Sequence, residues 1–162
     1  NSRKLTMNIR ILRYVVIFLI INCAALGLGS LATNAAVGGE WYTNINKAPW
    51  TPPGWAFGAA WTTIMLLFSV YMAFLATSAV DKSKLIAMFG VQWLLNVSWT
   101  PVFFVLEQVI PGLLIICALT VLVTAFMITY RRVLGAKTIL IVPYFLWLLV
   151  ATSLNLYILI YN

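Results

Sequence analysis

The sequence predicts an all-α fold: one integral membrane bundle of five transmembrane helices, a single domain over residues 1–162. Three observations predict it. First, 64% of the residues are apolar and only 8% are charged, against roughly 45–50% and about 25% in soluble domains. That balance excludes a soluble globule, and it excludes disorder, which needs few apolar residues and high charge. Second, five stretches free of Lys, Arg, Asp and Glu are each long enough to cross a hydrocarbon core of about 30 Å, a distance that takes about 20 helical residues. They run over about 14–33, 54–79, 85–105, 109–130 and 138–161. Third, threading five spans through a bilayer puts nine of the ten Lys and Arg on one side and only Lys47 on the other. By the positive-inside rule the N-terminus faces the cytoplasm, with the first loop and the C-terminus opposite. This distribution assigns the net charge of +7 to anionic membrane lipid, not to nucleic acid.

The first span, 14–33, follows Arg10 and Arg13 and ends in small residues, as a secretory signal does. Its apolar run of about 20 residues exceeds the 7–15 of a signal, so it reads as a retained span. Ala25 and Gly29 form a small-xxx-small pair that permits close helix approach. Residues 34–53 form a long connection with Pro49, Pro52 and Pro53, which fix backbone angles and predict a stiff, non-helical loop. Thr51 followed by Pro52 and Pro53 predicts a helix start with Thr as N-cap. Trp41, Tyr42, Trp50 and Trp55 lie where this loop meets the interface. They fit an aromatic belt, and equally a lid over a pocket between helices, since long ordered loops are often functional.

In the second span, 54–79, Trp61, Met65, Phe68 and Met72 share one helical face, which suits core packing or a pocket wall. In the third, 85–105, Gln92, Asn96, Trp99 and Phe103 recur at spacings of four, three and four and so share a face. Buried amides at this depth must meet protein, ligand or a cavity. An interhelical hydrogen bond is the ordinary role and ligand contact the sharper one. The fourth span, 109–130, carries no comparable pattern. In the fifth, 138–161, Pro143 predicts a kink or break just before a face of Tyr144, Trp147, Ala151, Leu154 and Asn155. Three aromatic faces in so small a bundle suggest a shared pocket.

The chain has no His, which excludes His–metal sites, Ser–His nucleophiles and His relays. Cys23 and Cys117 lie in apolar runs and suit packing better than a disulfide. No metal site and no required cofactor is expected.

Three segments also resemble a known family. Trp41-Tyr42, Lys47-Ala48-Pro49-Trp50-Thr51-Pro52-Pro53-Gly54-Trp55 and Trp61 look like the signature of the translocator protein family, also called the tryptophan-rich sensory protein (TspO) or peripheral benzodiazepine receptor family. Leu95 to Phe104 resembles its third-helix motif and Pro143 to Asn155 its fifth. The resemblance covers the chain from about Met7 onward. It implies a five-helix bundle, usually a homodimer, that binds porphyrins such as protoporphyrin IX, haem-type tetrapyrroles, sterols and benzodiazepine-type ligands under the first loop. Carried over by motif, the implied ligand-binding residues are Trp41, Tyr42, Pro49, Trp50, Trp61, Asn96, Trp99, Phe103, Trp147, Ala151, Leu154 and Asn155, with Met65 added from the Trp61 face. The resemblance also gives Trp61 and Trp147 as catalytic candidates if porphyrin is degraded in light. The Tyr-then-basic sterol pattern at the end of the fifth helix is absent, because Tyr157 and Tyr161 are followed only by Asn162. This weakens the case for specific sterol binding.

The functional expectation is a membrane receptor for porphyrin, with a sensory or regulatory role. Aromatic walls would stack on the macrocycle while its carboxylates stay near the wet loop. Lys47 is a candidate counter-ion there, or an ordinary interfacial charge. The alternatives are a light- and oxygen-dependent porphyrin-degrading protein and a transporter of lipophilic ligands. The spans hold no charge, whereas ion-coupled carriers usually place charges near the midplane.

Overall fold

The computed structural model describes residues 1–162. It contains six helices: α1 (Ser2–Ala36), α2 (Glu40–Asn44), α3 (Gly54–Ala76), α4 (Lys82–Thr100), α5 (Val109–Leu134) and α6 (Val142–Tyr161). A π-helical turn (Pro101–Val105) extends α4, and a 3₁₀ turn (Gly135–Leu140) leads into α6. Five segments are long and apolar enough to cross a membrane, so the protein is an integral, multi-pass membrane protein.

Local chemistry sets the boundaries. Asp81 caps α4, its carboxylate accepting from the Ser83 and Lys84 amides at 2.9 and 3.2 Å. The last carbonyls of α3 are satisfied by the Thr77 and Ser78 hydroxyls and by the Lys82 ammonium, which donates to Leu75 at 3.2 Å. α1 spans 35 residues, about 52 Å at 1.5 Å per residue, so its basic end projects well past a core of about 30 Å.

Three local expectations are corrected. Thr51 is not an N-cap: its hydroxyl donates to the Ala48 carbonyl at 2.7 Å, and α3 begins at Gly54 behind Pro53. The first loop is not wholly non-helical, because α2 forms before the three prolines, which all lie C-terminal to it. Pro143 does not kink α6. It sits in the first turn, where its missing N–H costs nothing. The chain turns upstream instead, at Gly135, whose φ of +56° and ψ of −124° favour glycine. Pro101 does disturb its helix. The ladder there shifts to Leu106 N–H donating to Pro101 O at 3.0 Å, five residues back, the π-type register that a missing donor invites.

The core is aromatic and aliphatic. The Phe68 ring, fully buried, meets those of Tyr71, Phe89, Phe126 and Tyr144 at 5.3–6.0 Å. Polar ties pin the helices around it. Asn22 donates to Ser69 at 2.9 Å, joining α1 to α3. Trp93 donates to the Ile21 carbonyl at 3.0 Å, joining α4 to α1. Gln92, fully buried, donates to the Tyr144 hydroxyl, joining α4 to α6. Gln92 thus takes the interhelical role, and Trp93 gains one that its sequence context does not suggest.

Candidate ligand-binding cavity

The first loop is fastened down from both sides. The Asn46 amide donates to the Asn162 side chain at 2.7 Å, and Asn162 donates back to the Asn46 carbonyl at 3.0 Å. The Trp50 indole donates to Ser153 at 3.0 Å. These bonds tie the loop to the C-terminal half of α6 and the residue that follows it, while Trp41 and Tyr42 of α2 turn inward. Trp41 meets the Phe103 ring edge-on at 5.7 Å, and Tyr42 meets Phe104 at 5.3 Å.

Beneath the loop lies a cavity of about 530 Å³, within the roughly 300–1,000 Å³ range of ligand pockets. Its walls come from α1, α3, α4 and the loop. α3 contributes Gly54, Phe57, Gly58, Trp61 and Met65, and α4 with its π turn contributes Asn96, Trp99, Thr100 and Phe104. The α3 set recurs at helical spacing because glycine leaves space while the aromatics above and below supply wall. From Gly54 to Met65 is about 16 Å along the helix axis, so the floor sits near the middle of the core.

Trp99 is 6% exposed, and two neighbours fix its indole. Its N–H donates to Asn155 at 3.2 Å, and the Phe103 ring stacks on it at 5.8 Å and 11°. Asn155 also donates to the Val109 carbonyl at 3.1 Å, so one side chain links α4, α5 and α6. Trp61 stands 6.5 Å from both Trp99 and Trp147. The Asn96 amide reaches only the Met65 sulfur, at 3.9 Å, a weak acceptor, and its remaining capacity faces the cavity. At the mouth the Lys47 ammonium lies 4.8 Å from the centre of the Tyr42 ring, within cation–π range. Burial raises the Tyr42 phenol above its usual pKa of 10.0, so it is a neutral hydrogen-bonding group at physiological pH.

Of the residues expected at the site, Tyr42, Trp61, Met65, Asn96 and Trp99 line this cavity. Phe103, Ala151, Leu154 and Asn155 line a narrow recess beside it, sharing Tyr42 and Trp99. Trp147 lies behind Trp61 and Phe57 rather than at the surface of the cavity. Trp41 backs Phe103, and Pro49 and Trp50 are exposed on the outer side of the loop. Trp50 and Trp55 are exposed, at 54% and 76%, whereas Trp41 and Tyr42 are half-buried. The wall that sequence reasoning misses is α1, with Ala25, Leu26, Gly29, Ser30, Thr33, Asn34 and Val37. The Ala25/Gly29 pair was its one signal, and extending that pair at the same spacing of four to Thr33 and Val37 would have found it. Phe57, Gly58, Thr100 and Phe104 are also added.

The site offers aromatic faces, a few amides and hydroxyls and one cation. It holds no cluster of three His, Cys, Asp or Glu residues that could bind a metal and no nucleophile–base pair. Residues 16–161 match the sequence pattern of the TspO/MBR family.

The chain belongs to the TspO/MBR family. It is 33% identical over 139 residues to "Protein CrtK" of Rhodobacter capsulatus, covering 83% of this chain and 84% of that one. It is 34% identical over 116 residues to the "Tryptophan-rich sensory protein" of Cereibacter sphaeroides, covering 72% and 73%. It is 26% identical over 138 residues to the human "Translocator protein", covering 81% and 82%. The family match includes the π turn and α6, so the cavity walls and the recess beside them both fall inside the matched region of this TspO/MBR member.

Proposed function

We propose that this TspO/MBR member is a membrane receptor for porphyrins and related flat, apolar tetrapyrroles, with its N-terminus in the cytoplasm. The observation that carries the reading is the cavity itself. It sets the aromatic groups Trp61, Trp99, Phe57 and Phe104 around a space of about 530 Å³, with Lys47 at the mouth. A macrocycle stacks its faces on the rings, and its carboxylates stay at the loop, near the cation. The names of the relatives, sensory and translocator protein, support a receptor role over a purely structural one. Titration with protoporphyrin IX in the dark tests this. Tryptophan emission should fall saturably at one porphyrin per chain. Lys47→Gln should weaken the free acid and leave its dimethyl ester unchanged. Non-saturable quenching defeats the proposal.

One observation favours a second reading, light- and oxygen-dependent porphyrin breakdown. Trp61 touches the ligand space and has two further tryptophans, Trp99 and Trp147, 6.5 Å away, close enough to share an oxidising equivalent drawn from an excited porphyrin. Bleaching rates at matched occupancy should fall in Trp61→Phe and Trp147→Phe. Equal rates remove the tryptophans from the chemistry.

A further inference from the structure

The cavity lining includes residues exposed on the outside of the bundle. α1 and α3 close against each other at the level of the Asn22–Ser69 hydrogen bond, 2.9 Å long between two fully buried side chains. On the loop side of that bond both helices line the cavity, α1 from Ala25 to Val37 and α3 from Gly54 to Met65. On an ideal helix Ser30 and Asn34 lie about 80° and about 120° around from Asn22, on the side away from Ile21 and Phe18, which meet α4. Both line the cavity, and both are exposed. The cavity lining therefore wraps onto exposed residues on the side of α1 turned away from α4. On the α3 side the edge is made by Gly54 and Gly58, and a Cβ placed on either would meet no atom within 4 Å. The opening stands just inside the loop-side edge of the span, because Gly58 lies about 6 Å along α3 from its first residue, Gly54. Its interior is aromatic, and Lys47 waits at the interface above it.

We propose that the resident occupant of the cavity is a membrane phospholipid of the leaflet on the loop side. One acyl chain enters between α1 and α3 past Gly58, and the phosphate sits near Lys47. The apolar walls favour a chain over water, and the only Lys or Arg at this end of the molecule matches the headgroup's anion. A ligand arriving from the bilayer then takes the same lateral path and displaces the chain. Gly58 and Gly54 serve as the portal by leaving it empty.

The test uses no porphyrin, so its outcome is separate from that of the receptor reading. The protein, with Trp99 kept and the other six tryptophans changed to Phe, is reconstituted in phosphatidylcholine vesicles brominated midway along one acyl chain. Trp99 is 6% exposed, so bromine reaches contact range only from the cavity or the narrow recess beside it, and its emission should drop about twofold relative to unbrominated vesicles. Adding Gly58→Phe should restore it. Unquenched Trp99, or quenching unaffected by the plug, overturns the proposal. In parallel, the wild-type chain purified in mild detergent should retain about one phospholipid per cavity by mass spectrometry, and Gly58→Phe should lose it. No retained phospholipid, or equal retention in Gly58→Phe, is the contrary result, and this arm does not depend on the single-tryptophan chain folding.

Discussion

Replacing Asn155 by Leu removes one side chain that holds three helices at once. Asn155 is 1% exposed, accepts from the Trp99 indole at 3.2 Å and donates to Val109 at 3.1 Å. Interhelical hydrogen bonds in membrane proteins average about 0.6 kcal/mol and reach about 1.7, so the two bonds together are worth about 1.2 kcal/mol. The Trp99 N–H, left with no acceptor beside it, adds a desolvation cost of about 1–3 kcal/mol. Leucine fills a similar volume and returns about 1 kcal/mol of apolar burial. The net expectation is a loss of about 2 kcal/mol, or about 30-fold in the folding equilibrium. It is measured by reversible unfolding in mixed micelles with rising detergent denaturant. Protoporphyrin binding should weaken in the same variant, because the Trp99 plane is no longer fixed. A stability change below about 0.5 kcal/mol, the scale of a substitution that touches nothing, refutes the reasoning that Asn155 is the joint.

Gly112→Ala places a Cβ 3.1 Å from the Phe103 Cβ, an atom that cannot swing away, and should cost about 1–3 kcal/mol by overpacking in the same unfolding assay. Gly135→Ala meets open space but keeps φ at +56°. The cost there is backbone strain of about 1–3 kcal/mol, with no effect on ligand affinity. Tyr42 gives a pH signature. Its phenol is raised above 10.0 by burial, so the folded state holds its proton more tightly than the unfolded one. Stability should be flat through neutral pH and should fall once the pH exceeds 10, where the unfolded phenol ionises first. Tyr42→Phe should make that fall shallower.

The frame was legible because bilayer length and missing charge mark each span independently of tertiary contacts. The floor of the site was also legible. Asn96 and Trp99 are costly or conspicuous in lipid, and the spacing that put them on one face of α4 needed no structure. The α1 wall was not, since Leu26, Ser30 and Val37 have the small or aliphatic character of any lipid-facing helix. Only the neighbour across the gap tells lining from lipid contact. The fifth-span face was legible as a face but not in its direction. Ala151, Leu154 and Asn155 look into the recess behind Trp99, and Trp147 packs behind Trp61. Thr51 and Pro143 misled because their local signals are real, yet a turn three residues on and a 3₁₀ approach set the actual boundaries.

The central claim is that ligand sits between α1, α3 and α4 beneath the loop, and the α1 wall tests it most directly. A Cβ on Gly29 would rest 3.6 Å from the Thr100 hydroxyl, ordinary contact, and Gly29 lines the cavity, so the ring of Gly29→Phe should occupy ligand space. Protoporphyrin titration of this variant in the dark, beside a Leu146→Phe control on an exposed α6 position, is the decisive measurement. The account predicts that Gly29→Phe loses saturable tryptophan quenching while its thermal midpoint stays near that of the wild type and the control binds normally. Wild-type affinity in a folded Gly29→Phe protein contradicts it.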